Sequence, residues 1–431
     1  MAGPEDSGGE RATGPDGAPG VGRYAVPEDV AGAQDALALS LGPPLEIGHD
    51  GRPTGVELEL PSDEGEEDGA PFSDADGISA PFRPEDIKIH TETTTVDLLL
   101  SRLREGMLDL APDFQRRAGV WSDTRQSRLI ESLLLRIPIS GFHLAQDEED
   151  TWAVVDGIQR LTAIARFVTP DVVGMAPLTL RGLDYLTDFH GKGYADLSGR
   201  LKVRLRETQL VVHIIQQGTP EAVKYNVFSR INTGGLPLKP QEMRHALVPG
   251  PVRAYLADLA EHPSFGEATG WSVSDERMND REMVLRFLAF RLSNPAAHAH
   301  KDFDHFLIAA MHHVNALTEE RRELYAREFR TALGCATELF GKQAFRKWHE
   351  VPGRSPINMA LFETVTVNLA LLDDHERARL VASRERLLDR YVELLGDWDF
   401  DRSISAGTGA PQKVRTRFQN MARLFRGVAE Q

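Results

Sequence analysis

Residues 151–167, TWAVVDGIQRLTAIARF, impose the tightest condition on how this chain can fold. A strand-forming apolar run, Trp152 to Val155, stops at Asp156 and turns at Gly157. Apolar residues then resume at helical spacing, at Leu161, Ile164 and Phe167. A buried strand must therefore feed a helix through one glycine, a residue that tolerates so tight a turn. The helix start offers free N–H groups and a positive dipole end, which together cradle phosphate. Arg160 adds a planar fork suited to phosphate oxygens, and Gln159 a neutral donor and acceptor. Asp156 can hold a metal ion, orient the arginine or cap the helix. The plainer alternative has Asp156 capping and Arg160 pairing with it at the surface.

The flanking sequence supplies partners for this strand. Thr95 to Arg104 reads as a helix, with Thr at its start and Gly106 just past its end. A second helix is expected from Ser122 or Asp123 through Leu135, with Leu129, Ile130, Leu133 and Leu134 facing a core. ISGFHLA (139–145) reads as a strand and DEED (147–150) as a hairpin turn. TQLVVHII (208–215) reads as another strand, followed by helices at 221–230 and 239–247. Gly199–Arg206 (GRLKVRLR) is expected as a strand, with Arg200, Lys202, Arg204 and Arg206 alternating on one face. From about residue 251 the periodicity is almost wholly helical. The fold class expected is α+β, a small mixed sheet with helices over residues 81–250, then a mostly α-helical domain over 251–431.

Charge is distributed unevenly along the chain. The net charge is −16, yet residues 1–80 hold 18 carboxylates against three arginines, leaving the other 351 residues near −1. Those 80 residues also contain 15 Gly and nine Pro. They are expected to form a disordered leader that is dispensable for folding, because few large apolar groups offset the ordering entropy. VELEL (56–60) could instead dock on the body. A nearly neutral body does not exclude a nucleic-acid partner. A single cysteine, Cys335, rules out an internal disulfide framework and multi-thiolate zinc sites, and reads as a buried thiol. No apolar run approaches a membrane span and no signal peptide is read, so the expected location is the cytoplasm.

Two further motifs carry polar groups in loops. In APDFQRRAGVW (111–121), Gln115, Arg116 and Arg117 lie between Phe114 and Trp121, a setting for an anion or a base. In VFSRINTGGLPLKPQEMRHAL (227–247), Arg230 precedes the Asn232-Thr-Gly-Gly235 turn, which can form an anion nest or simply stop a helix.

Taken with VVDGIQRLTAI and DREMVLRFLAF, these motifs resemble the N-terminal domain of GmrSD-type modification-dependent restriction enzymes, the DGQQR-motif family with a ParB/sulfiredoxin-like fold. The resemblance spans about residues 82–300, with weaker signs at 403–418. It implies a nucleotide-binding, NTP-hydrolysing module that acts on or near DNA in defence, with a nucleoside triphosphate and Mg²⁺ as cofactors. Carried over residue by residue, Asp156, Gln159 and Arg160 take catalytic positions, and Asp156 also that of a metal ligand. Gln115, Arg116, Gly157, Arg230, Asn232 and Gly234 take cofactor-binding positions. Ile158 departs from the motif, standing where the family has Gln, which puts hydrolysis in question. The family's His-Asn-His nuclease centre has no counterpart: His298, His300, His305, His312, His313 and Asn315 fall in or beside helical sequence. A separate effector or nuclease is therefore an expected partner. The alternatives are a non-catalytic DNA-binding or adaptor protein, supported by the basic strip at 199–206, and, less favoured, a ParB-like nicking nuclease.

Overall fold

The computed structural model describes residues 44–48, 51–60, 87–110, 121–147, 149–231, 238–275, 277–300, 302–348 and 355–430. A short hairpin, β1 (Leu45–Ile47) and β2 (Pro53–Glu57), comes first. The sheet domain follows in the order β3 (Ile89–Thr95), α1 (Val96–Arg104), β4 (Leu108–Asp109), α2 (Asp123–Leu134), β5 (Phe142–Gln146), β6 (Trp152–Asp156), α3 (Ile158–Val168), α4 (Gly199–Arg206), β7 (Gln209–Ile215), α5 (Glu221–Ile231) and α6 (Pro240–Leu247). The strands lie in the order β3-β7-β5-β6-β4. The β3/β7 and β5/β6 pairs are antiparallel, while β7/β5 and β6/β4 are parallel. The fold is thus the α+β class expected, with a small mixed sheet.

Local chemistry sets the element ends. Thr95 caps α1 by accepting from the Leu98 N–H, and Ser122 caps α2 by accepting from the Arg125 N–H. Asp147 closes the β5–β6 turn, its carboxylate accepting from the Glu149 and Thr151 N–H groups. One face of the sheet buries Phe142, Leu144, Val154 and Val212 against Leu99 of α1, Ile130 of α2 and Ile164 of α3. The other face buries Ala145, Val155 and Ile215 against Phe228 of α5.

The helical region comprises α7 (Pro251–Glu261), α8 (Pro263–Thr269), α9 (Asn279–Leu292), α10 (Phe303–Ala316), α11 (Glu319–Phe340), α12 (Met359–Ala370), α13 (Asp374–Ala382), α14 (Arg384–Leu395), α15 (Trp398–Ser405) and α16 (Pro411–Ala429). Its core centres on α9 and α12, which are buried almost all round; the apolar sequence of α12 requires this, while α9 buries Arg281 and Arg286 along with its apolar residues. Of the histidines near 300 only His298 serves this packing, and His300, His305, His312 and His313 are exposed. His305, His312 and His313 lie on α10, and His298 is buried against Phe290 and Phe306. Asn315 accepts from the Val252 N–H and donates to the Pro249 carbonyl. Cys335 is buried, and burial pushes its thiol up to about 11. No helix among the described residues is long and apolar enough to cross a membrane.

Two expectations are corrected. Gly199–Arg206 is helix α4, not a strand. Leu201 and Leu205 are four apart, and Leu205 is fully buried, so a helical face outweighs the alternating charge. Its cations do not form one basic face. Arg206 forks onto Asp97, Arg204 donates to the Leu134 carbonyl, and Lys202 donates to the Ala195 carbonyl.

Residues 44–60, expected within a solvated leader, are structured. The VELEL segment docks: the Glu57 N–H donates to the Ile357 carbonyl, and the Ile357 N–H donates to the Gly55 carbonyl. Val56 and Thr54 are buried. Glu46 meets Lys239 and Asn279, Glu57 meets Lys347 at 2.9 Å, and Glu59 meets Arg286 at 3.3 Å. Three leader carboxylates thus neutralise three largely buried cations. The remainder of residues 1–80 lies outside the described residues.

Two predictions follow from this packing. A chain beginning at residue 61 should melt many degrees below the full-length protein, whereas one beginning at residue 43 keeps its Tm; equal melting of both would disprove the docking. Glu57→Ala alone should cost about 1–2 kcal/mol in urea unfolding, since Lys347 loses its nearest carboxylate but keeps Asp401 at 3.6 Å and the Ser405 hydroxyl at 2.7 Å. The second prediction concerns His298, held down at about 4 by burial and by the neighbouring His300, Arg417 and Arg415, against an ordinary value of 6.5. Because the unfolded chain binds this proton and the folded chain resists it, the stability is present above pH 6.5 and is lost as pH falls towards 4. His298→Leu should flatten that part of the stability profile, by up to about 3 kcal/mol relative to the parent.

Candidate functional site

The sheet's register gathers polar side chains at one end of four adjacent strands. The β5/β6 pairing slips between His143 and Leu144, so that Asp156 rather than Val155 lies opposite His143. His143 is in turn paired with His213 on β7, and His213 with Thr91 on β3. The result is a continuous row. His143 Nδ1 is 3.4 Å from Asp156 Oδ2, the two imidazoles stack with centroids 4.9 Å apart, and Thr91 Oγ1 is 2.9 Å from His213 Nδ1. Burial, with repulsion from His143, holds His213 below the ordinary histidine value.

At the Asp156 end the chain turns into α3. Gly157 adopts φ +99°, and a Cβ there would come within 2.4 Å of the Phe142 ring. Backbone conformation and close approach both demand glycine, as the strand-to-helix junction anticipated. No side chain caps α3, so Asp156 is not the cap. It orients the arginine instead: Arg160 Nη2 donates to Asp156 Oδ2 at 3.0 Å and to the Gly141 carbonyl at 3.0 Å. Nη1 donates to Ser140 Oγ at 2.6 Å and to the Ser140 carbonyl. The guanidinium also lies over the Phe142 ring, 4.6 Å from its centroid. Burial lowers the Arg160 pKa, with Asp156 opposing the shift. The fork is therefore turned inward and staples the loop before β5 to the start of α3.

Gln159 reaches in another direction. Its Oε1 accepts from the Trp121 N–H at 3.2 Å, which ties Trp121 to α3. Gln115 and Arg116 lie outside the described residues, as do Asn232 and Gly234. Arg230 is exposed in the last turn of α5 and makes no hydrogen bond to this cluster. Ile158 packs into the core between sheet and helices, so the first position of α3 carries no polar side chain to the surface. Asp156, Gly157 and Arg160 thus converge, while the Gln159 side chain turns to Trp121. His143, His213 and Thr91 join them unannounced by the sequence, because nothing in a linear pattern reveals cross-strand register.

Residues 96–249 match the family model of the GmrSD restriction endonuclease N-terminal domain. This segment is therefore similar to GmrSD N-terminal domains. The match starts with α1, ends just past α6, and encloses Asp156, His143 and His213. Neither the curated proteins nor the solved structures contain a match to this chain. Within the GmrSD domain, the Asp-Gly-x-Gln-Arg sequence is the hinge that joins sheet to helix.

That geometry predicts the cost of disturbing it. Gly157→Ala should destabilise the protein by about 2–3 kcal/mol, from a strained backbone and the Phe142 overlap. Arg160→Ala should cost about as much through its lost charge-assisted bonds, and Arg160→Lys should recover only part of the loss. Urea titrations measure all three. A neutral Arg160→Ala would show that the staple is not structural.

Proposed function

We propose that the GmrSD domain binds a nucleoside triphosphate at the start of α3 and couples it to restriction of foreign or modified DNA, with cleavage supplied by a separate nuclease. The observation that carries the reading is the uncapped N-terminus of α3, entered through Gly157 at positive φ beside the Asp156–Arg160 pair. Backbone N–H groups at such an end donate to phosphate oxygens without help from a side chain. Arg160 acts in this reading as a positioning residue that fixes the cradle, and Gln159 tethers the QRR loop beside it.

The residues are a poor match to a resident Mg²⁺. The Oδ2 of Asp156 already faces Arg160 and His143, and among the described residues no three His, Cys, Asp or Glu side chains group to hold a metal. In this reading Mg²⁺ arrives on the nucleotide's phosphates, as it commonly does. The buried Ile158 favours binding with little turnover, which makes the adaptor reading a variant of this one rather than its rival.

Calorimetric titration with the four Mg²⁺–nucleoside triphosphates tests the proposal. The parent should bind at least one of them, and Gln159→Ala should weaken binding by about tenfold through the loosened loop. No heat of binding with any triphosphate at low salt would overturn the assignment. Phosphate release by the parent, with and without DNA, then separates hydrolysis from sensing.

A further inference from the structure

The helical region carries a second surface with a chemistry of its own, outside the GmrSD segment. Helix α16 buries Val414, Phe418, Met421, Phe425 and Val428 on one side. Its opposite side presents Gln412, Thr416, Gln419, Arg423 and Arg426, spaced four, three, four and three residues apart, which places them in one stripe. Gln412, Gln419, Arg423 and Arg426 are exposed, and Thr416 is half-buried. The stripe forms a ridge: a cleft of about 820 Å³ lies on its α14–α15 side and one of about 550 Å³ on the other, with Gln419 and Arg423 shared by both.

Basic groups dominate this ridge in a chain of net −16, and Glu430, four residues past Arg426, lines the smaller cleft with them. No acidic residue occurs between Asp401 and Glu430. Arg423 bonds only to Asn420, one turn before it, and Arg402 lies over the Trp398 ring at 4.7 Å from its centroid. Trp398 itself is 67% exposed. Acidic groups of the larger cleft, Glu393, Asp397 and Asp399, stand on the α14–α15 wall, and Asp397 is occupied in capping α15.

We propose that α16 is a DNA-contacting helix: its ridge enters a groove of duplex DNA, Arg423, Arg426 and Arg402 meet phosphates, and Gln419 with Asn420 reaches base edges. A helix stripe of amides and arginines with open space on both flanks is what a major groove accepts. The exposed arginines supply the electrostatic part of the binding. The proposal shares the DNA partner of the preceding section but does not depend on the nucleotide reading.

Fluorescence anisotropy of the full chain with a labelled 20-base-pair duplex, from low to moderate salt, is the test. Arg423→Ala/Arg426→Ala should weaken binding about ten- to a hundredfold and flatten the plot of log Kd against log salt by about two, since each phosphate contact contributes roughly 0.9. Gln419→Glu, nearly isosteric on an exposed site, should weaken binding without altering the melting temperature. Nucleotide affinity measured on the same variants should not change, so failure of the nucleotide reading leaves this result intact. Unchanged affinity and slope in either folded variant would overturn the proposal. So would a parent that binds no duplex at low salt, or one that binds single strands in preference to duplex.

Discussion

The helical region is organised around a carboxylate with no access to water. Glu363 on α12 is fully buried, and Arg417 of α16, equally buried, forks onto it. Arg286 of α9 approaches the same carboxylate at 3.7 Å and also meets Glu282 at 2.7 Å and Glu59 of the docked hairpin segment at 3.3 Å. Glu282 in turn meets Arg244 of α6, which pairs with Asp304 of α10. Burial alone would raise the Glu282 pKa, but Arg286 and Arg244 outweigh it and hold the carboxyl low. One network therefore joins six segments of chain. Removing any member leaves a charge in a medium that cannot solvate it, a far larger loss than that of a surface pair.

This constraint explains why an acidic N-terminal segment belongs to the folded body. Arg286 already meets Glu282 and Glu363, and Lys347 also meets Asp401; Glu59, Glu46 and Glu57 add further carboxylates to Arg286, Lys239 and Lys347. Thr408 also donates to Glu59, through both its N–H and its hydroxyl, so the strap fixes the turn that leads into α16. The ridge proposed to meet DNA is thus held by the same charges that tie down residues 44–60.

The GmrSD domain uses a smaller device of the same kind. Arg160 spends its donors on Ser140, Gly141 and Asp156, and that places β5, β6 and α3 in a fixed relation. The arginine of the motif is therefore spent on architecture, and the start of α3 has no side-chain cap. Asp156 serves two neighbours, Arg160 and His143, and through His143 it reaches the stacked His213.

The linear sequence by itself determined the helices at 96–104 and 123–134, the strands at 142–146, 152–156 and 209–215, the strand-to-helix turn at Gly157 and the resemblance to the GmrSD N-terminal domain; the strands Ile89–Thr95 and Leu108–Asp109 it did not reveal. Caps, glycines and apolar spacing act between residues a few positions apart, so Thr95, Ser122 and Asp156–Arg160 could be read directly. Where short-range signals conflicted, reading failed: the alternating cations of 200–206 suggested a strand, but burial of Leu205 against distant residues made a helix. Only the tertiary structure decided that Asp156 binds an arginine instead of capping a helix, that His143 and His213 stand beside it, and that Glu46, Glu57 and Glu59 leave an acidic leader to pair with buried cations. Each of those outcomes depends on partners between 4 and 290 residues away. Their energies come from desolvation and register, which exist only once the chain has closed on itself.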